Sequence, residues 1–256
     1  MVTLASAHAP ADRRIYALGD VHGRLDSLAE AGRRIVADLR ARPREDWRVI
    51  IVGDLVDRGP DSRGVIDWVI EHRARLRIEV VLGNHDEMLR GFLADPDSPD
   101  LYTWLDHGGL ATLRSYGIAI GHDHLPCDPE SRAALRARLF AAMPDSHRRL
   151  LAGLPRAIRA GDFLFVHAGI RPGVSLEAQA PEDLVWIREP FLSSTADHGV
   201  VVVHGHTPER RVAVRPNRIG IDQGAVFGGG LTCLVIDGGE VGLLGPQGVE
   251  PLAVAA

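Results

Sequence analysis

The chain has 256 residues, 45% hydrophobic and 25% charged, which excludes wholesale disorder and allows a sizeable core without disulfides. A formal charge of −5 argues against a protein held to nucleic acid through phosphate contacts. All 29 basic residues are arginine, so Schiff-base and P-loop lysine chemistries are both excluded.

Residues 14–19 read as a short buried strand ending at Asp20 and Gly23. Residues 24–40 then place Leu25, Leu28, Ala31, Ile35 and Leu39 on one helical face, with arginines opposite. The plan repeats: strand 48–52, a turn-rich loop 53–60, and a helix Ser62–Leu76 turning Val65, Ile66, Val69 and Ile70 inward. A third unit has a strand at 78–82, a break at Gly83 and a helix over 86–93. Strand–loop–helix in triplicate predicts an α/β sheet with helices packed against it. Residues 95–149 change character, with helical stretches at 101–116 and 129–143 broken by Pro96, Pro99, Gly108, Gly109 and Pro144; they read as a helical cap insertion within a single domain spanning 13–245. Strand signals resume at 162–166, 200–203, 211–214, 219–221, 231–236 and 241–244, and the turn Asp237-Gly238-Gly239 suggests antiparallel pairing. Residues 1–12 and 246–256 read as flexible tails. Cys127 and Cys233 match no metal-knuckle spacing, no apolar run is long enough for a membrane helix, and Met1 to Asp12 lacks a secretory pattern. A cytoplasmic setting follows as the expectation, with neither membrane nor nucleic acid as partner.

Each early strand ends in a similar cluster: Gly19-Asp20-Val21-His22-Gly23, then Gly53-Asp54-Leu55-Val56-Asp57-Arg58-Gly59, then Gly83-Asn84-His85-Asp86. Later strands end in His167-Ala168-Gly169 and His204-Gly205-His206-Thr207-Pro208. The carboxyl ends of parallel strands share one edge of an α/β sheet, so Asp20, His22, Asp54, Asn84, His85, His167 and His206 are expected to converge. Carboxylate, carboxamide and imidazole make a mixed oxygen–nitrogen site suited to Mn²⁺, Fe²⁺ or Zn²⁺. Seven groups are too many for one ion with an open position, but they fit two ions sharing a bridging carboxylate.

The ordered series resembles the calcineurin-like metallophosphoesterases, and within them the phosphoprotein phosphatases of the bacterial and bacteriophage lambda type. The motifs span residues 19 to 208, and Ile221-Asp222-Gln223-Gly224-Ala225 is similar to a further segment of the family. The resemblance implies a four-layer α/β/β/α sandwich. It also implies that Asp20 and His22 hold one divalent ion, that Asp54 bridges, and that Asn84, His167 and His206 complete the other ion's ligands, with manganese foremost and iron or zinc as alternatives. A water or hydroxide between the ions would attack phosphorus in line. His85 would protonate the leaving group, oriented by Asp57, and Asn84 and Arg58 would also touch the phosphate. Arg188, in Trp186-Ile187-Arg188, matches a second phosphate clamp of the lambda-type enzymes; the alternative is a surface ion pair with Glu182 or Glu189. Glu is common where this chain has Asp86, and Thr where it has Gln223, which leaves the roles of those positions open. His206 is preferred to His204 as ligand, and His122, Asp123, His124, Cys127 and Asp128 read as a polar loop. The implied activity is a metal-dependent phosphomonoesterase acting on phosphoserine, phosphothreonine or small phosphate esters. Alternatives are a diadenosine polyphosphate hydrolase using the same ions and the same His85, against which the low aromatic content of 5% weighs, and a non-catalytic metal-binding scaffold.

Overall fold

The structure, a computed structural model, describes residues 2–121 and 125–252. Strands β1 (Arg13–Leu18), β2 (Asp46–Ile51) and β3 (Ile78–Val80) run parallel and alternate with helices α1 (Leu25–Ala41), α2 (Ser62–Leu76) and α3 (Asn84–Ala94). Their sheet is completed by β9 (Cys233–Asp237), β10 (Glu240–Gly245) and β11 (Gly248–Pro251) in the order β11-β10-β9-β1-β2-β3. The turn at Gly238 joins β9 and β10 as an antiparallel pair, as their spacing predicts. A second sheet is ordered β4-β5-β6-β8-β7, from β4 (Ala157–Ala160), β5 (Phe163–Val166), β6 (Val201–His204), β7 (Ala213–Arg215) and β8 (Arg218–Gly220). Within it β5, β6 and β8 are parallel.

Side-chain alternation explains the layering. Ile15, Ala17, Ile50 and Val52 face Phe163, Phe165, Val201 and Val203 of the other sheet and form the core between the sheets. Tyr16, Leu18, Val49 and Ile51 point the opposite way, into the helical layer. On the far side of the second sheet, Leu164, Val166 and Val202 are covered by Ile187 and Phe191 around the short helix α8 (Pro181–Trp186). The result is a four-layer α/β/β/α sandwich whose fourth layer is thin.

Residues 95–149 extend the helical layer. Helices α4 (Leu101–Trp104), α5 (Leu110–Ser115), α6 (Pro129–Ala142) and α7 (Asp145–Ala152) bury Leu101, Trp104, Leu113, Leu139 and Leu151 in the same core as Leu18 and Ile51. A π-helical turn, Leu105–Gly109, links α4 to α5.

Several expectations need correction. Ile70 is 36% exposed and turns away from the core. The stretch after Gly245, read as a fraying tail, pairs as β11; Pro251 is tolerated because an edge strand leaves one row of N–H positions unpaired. At the other end Leu4, Ala7 and Ala9 are buried in the core between the sheets, so residues 2–12 are not a loose tail. Among the described residues no helix is long and apolar enough to cross a membrane.

Candidate active site

Two parallel trios, β1-β2-β3 and β5-β6-β8, bring their carboxyl ends to a common seam. Asp20 and His22 follow β1, Asp54 follows β2, and Asn84 and His85 form the first turn of α3. From the other sheet come His167, directly after β5, and His206, just beyond β6. All seven side chains are buried and within reach of one another. Close approach depends on the glycines between them: a Cβ on Gly205 would collide with the Asp20 carboxylate.

Asp54 is the centre. Two sets of potential ligand atoms lie within 4.8 Å of one another, His22 with Asp54 and His85, and Asp20 with Asp54 and His167; Asp54 belongs to both. The histidine tautomers bear on what the cluster can hold. His22 Nδ1 donates to the Val56 carbonyl at 2.8 Å and His167 Nδ1 to the Val52 carbonyl at 2.9 Å. A carbonyl only accepts, so each ring carries a proton on Nδ1 and turns Nε2 into the cluster, where the Nε2 of His22 accepts from Arg58 Nη1 at 2.6 Å. Both Nε2 atoms lie 3.4 Å from Asp54 Oδ2, an anionic acceptor. His167 Nε2 also lies 2.8 Å from Asn84 Oδ1, a further acceptor. His206 donates from Nδ1 to Asn84 Oδ1 at 3.0 Å, which leaves its own Nε2 buried without a partner. The unpartnered Nε2 of His206 and the Nε2 of His167, beside Asn84 Oδ1 and Asp54 Oδ2, are where a cation would find ligands, and oxygen with imidazole nitrogen is the donor set of divalent transition metals.

The electrostatics agree. Burial holds His22 in the neutral form, with a pKa of about 3, and lowers His206 to about 2 with help from His167. Burial, and then the neighbouring carboxylates of Asp222 and Asp54, push Asp20 well above the ordinary aspartate range. Three carboxylates gathered in a buried seam constitute a negative charge excess that a cation relieves. His85 behaves differently. Burial works against its charged form, but the carboxylates of Asp54 and Asp57 outweigh it and raise its pKa above the ordinary histidine value.

His85 Nδ1 lies 2.7 Å from Asp57 Oδ2. The other oxygen of Asp57 accepts from Trp104 Nε1 at 3.0 Å and from Thr112 Oγ1 at 2.6 Å, all of them buried. Sequence reasoning gives neither Thr112 nor Trp104 a role at the site, because both lie in the insertion, far from any motif. Arg58 reaches into the cluster with Nη1 2.6 Å from His22 Nε2, while its guanidinium lies 5.5 Å from the ring of Phe227, which is 69% exposed. Arg188 is exposed at the rim of a shallow cavity of about 410 Å³ that it shares with Arg171 and Trp186, whose ring is 6.0 Å from that of His206. The alternative ion pair of Arg188 with Glu182 or Glu189 is not formed among the described residues. A larger cavity of about 480 Å³, between α1 and α2, contains none of these groups.

The remaining open positions resolve structurally. Asp86 accepts from Leu55 N at 3.0 Å and Gly83 N at 3.2 Å, capping α3 while tying its first turn to the Asp54 loop. His204 turns toward Phe191, ring centroids 5.1 Å apart, whereas His206 reaches Asn84. Asp128 caps α6 through Ser131 N at 2.8 Å, and Cys127 is exposed beside it; His122, Asp123 and His124 lie outside the described residues. One signal absent from pattern reading is backbone strain. His22, Asp54, Asp57, Arg58 and His206 all have φ between +44° and +73°, a region non-glycine residues avoid unless their surroundings fix them.

Comparison with known proteins agrees with this geometry. Residues 13–226 match the model of the calcineurin-like phosphoesterase family. The chain is 32% identical over 228 residues to serine/threonine-protein phosphatase 1 of Salmonella typhimurium, covering 86% of this chain and 90% of that one. It is 29% identical over 268 residues to the symmetrical bis(5'-nucleosyl)-tetraphosphatase of Nitrosococcus oceani, covering 87% and 93%. A cold-active protein-tyrosine phosphatase of a psychrophile Shewanella species shares the fold, with a TM-score of 0.62 and 17% identity over 96% of this chain and 83% of that one.

Proposed function

Because the chain belongs to the calcineurin-like phosphoesterase family, we propose that it is a two-metal phosphomonoesterase that hydrolyses phosphoserine and phosphothreonine in cytoplasmic proteins, and small phosphate esters. The observation that carries the reading is the buried Asp54, shared by two groups of potential ligand atoms, one with His22 and His85 and the other with Asp20 and His167. Asp20, His22 and Asp54 would hold one ion, and Asp54, Asn84, His167 and His206 the other, with manganese the ion best suited among those this donor set accepts. When bound, such ions supply charge neutralisation at the phosphoryl oxygens and a water of lowered pKa.

The chain's own groups do the rest. Arg58 and Arg188 bind phosphate oxygens from opposite sides, and Asn84 orients them. His85, kept charged by Asp57 and Asp54, delivers a proton to the departing oxygen. That device suits an ester, whose alkoxide leaving group is strongly basic, and the dinucleotide reading would use the same His85. It also argues against a non-catalytic scaffold, which has no use for a buried, oriented acid beside its ions. The 32% identity to a serine/threonine phosphatase supports the same choice.

A second reading, hydrolysis of dinucleoside polyphosphates, is favoured by Phe227. Although aromatic residues are few, this one is 69% exposed and lies beside Arg58, where a nucleobase could stack. Chelator-stripped protein, reloaded separately with Mn²⁺, Fe²⁺ or Zn²⁺, is assayed on a phosphoserine peptide, p-nitrophenyl phosphate and diadenosine tetraphosphate. Manganese is expected to restore the highest kcat/KM, with the phosphopeptide preferred to the dinucleotide, and Phe227→Ala to change phosphopeptide turnover by no more than about twofold. A preference for the dinucleotide that falls about 10-fold in Phe227→Ala would replace the first reading with the second.

A further inference from the structure

The helical insertion delivers two hydrogen-bond donors to one atom of the site. Trp104, at the end of α4, and Thr112, in α5, both donate to Oδ1 of Asp57, at 3.0 and 2.6 Å. Thr112 Oγ1 also accepts from the Asp57 backbone N–H at 2.9 Å, and that same N–H lies 3.0 Å from Ser62 Oγ. Ser62 Oγ and Thr112 Oγ1 are themselves 3.0 Å apart. Asp57, Ser62, Trp104 and Thr112 are all fully buried, so water does not compete for these bonds. Trp104 packs against Phe92 at 5.4 Å between ring centroids, which fixes the direction of its N–H.

A carboxylate on a turn has freedom to rotate about its last side-chain bond, and the turn here is strained, with φ of +73° at Asp57 and +66° at Arg58. Two donors converging on Oδ1 and a bond to the backbone N–H remove that freedom. The only oxygen then left to His85 Nδ1 is Oδ2, at 2.7 Å. An imidazole fixed through Nδ1 has its opposite nitrogen aimed in one direction, as proton delivery to a departing oxygen requires.

We propose that Trp104 and Thr112 are positioning residues for leaving-group protonation, so that the helical insertion serves the chemistry by locking Asp57 and, through it, His85. The proposal rests on the reading of His85 as the acid. It separates the insertion's role from substrate binding: loss of either donor lowers kcat on esters with basic leaving groups and leaves KM nearly unchanged.

The test compares Trp104→Phe, Thr112→Val and Thr112→Ser with the unaltered full chain, loaded with Mn²⁺, on phosphoserine peptide, phenyl phosphate and p-nitrophenyl phosphate. Phe and Val keep the shape and remove the donor, whereas Ser keeps the hydroxyl. Roughly 10- to 100-fold loss of kcat on phosphoserine is expected for Trp104→Phe and Thr112→Val, against about threefold or less on p-nitrophenyl phosphate, whose leaving group needs no proton. Thr112→Ser is expected to retain the original dependence on leaving group. A readout independent of turnover, taken on the protein loaded with diamagnetic Zn²⁺, is the downfield proton resonance of His85 Nδ1–H, assigned by its disappearance in His85→Asn. It is expected to broaden or vanish in Trp104→Phe and Thr112→Val and to persist in Thr112→Ser. Equal losses on all three esters, no loss, or an unchanged resonance in both donor-deleting variants overturns the proposal. If His85→Asn itself loses activity equally on all esters, the acid reading fails first and takes the proposal with it. A selective His85→Asn beside unselective Trp104 and Thr112 variants sinks the positioning role alone. Should one donor-deleting variant not fold, the other decides.

Discussion

At the scale of single residues, the site is made of groups held where their chemistry alone would not leave them. Asp54 shows this best: its backbone is left-handed at φ +50°, it is buried, and its Oδ2 lies 3.4 Å from the Nε2 atoms of both His22 and His167. Replacing it with Asn keeps the shape and removes the negative charge that would bridge two ions. Asp54→Asn is therefore expected to retain less than the full metal complement, read by elemental analysis of the purified protein, whereas His85→Ala keeps its metal and loses turnover by roughly 10²- to 10⁴-fold. Two ions per chain in Asp54→Asn, or full turnover in His85→Ala, would overturn those assignments. Much of this was legible because each of these side chains follows a strand end, and parallel strands share an edge. Thr112 was not legible, since a lone threonine inside an amphipathic helix carries no pattern, and its importance arises only from the three-dimensional meeting with Asp57.

At the scale of elements, the three strand–helix units were legible nearly to the residue because apolar period and turn chemistry agree there. Weaker elements escaped for physical reasons. Ala157–Ala160 is a short antiparallel edge strand without a β-branched run, and Gly248–Pro251 hides behind glycine and proline. Helix α8 did carry a readable start, Pro181 followed by Glu182 and Asp183 in its first turn. The π-helical turn between α4 and α5 depends on Gly108, whose φ is +118° and whose oxygen accepts from Arg58 N at 3.2 Å. A Cβ there would lie 2.7 Å from both Cγ and N of Arg58, so Gly108→Ala must push the insertion off the turn that carries Arg58. It is expected to cost about 1–3 kcal/mol in a denaturant melt and to raise KM several-fold. Gly117→Ala is the control: its φ is +79° but nothing lies within 4 Å of the added carbon, so only the backbone cost applies and KM stays unchanged. Equal effects of the two substitutions on KM would show that the insertion does not seat Arg58.

At the scale of the whole molecule, the proposed ligands are split between layers. Asp20, His22, Asp54 and Asn84 hang from the first sheet, His167 and His206 from the second, and the apolar core between the sheets ends where these groups begin. Ions bound across this seam would tie the sheets together beyond the protein's own bonds there, His206 Nδ1 to Asn84 Oδ1 and His167 Nδ1 to the Val52 carbonyl. Binding to the folded form alone adds about 4 kcal/mol of stability at a metal concentration roughly a thousandfold above Kd. For a chain of this size that corresponds to a rise in Tm of roughly 10 °C. The dependence should be graded with Mn²⁺ concentration in the unaltered protein and reversed by a chelator. In His167→Ala it should be much reduced, because the second sheet then loses a direct hold on the ion that Asp54 shares. A melting temperature indifferent to Mn²⁺ and chelator would mean that the seam is closed by the protein's own packing and that the ions, if bound, do not join the two halves.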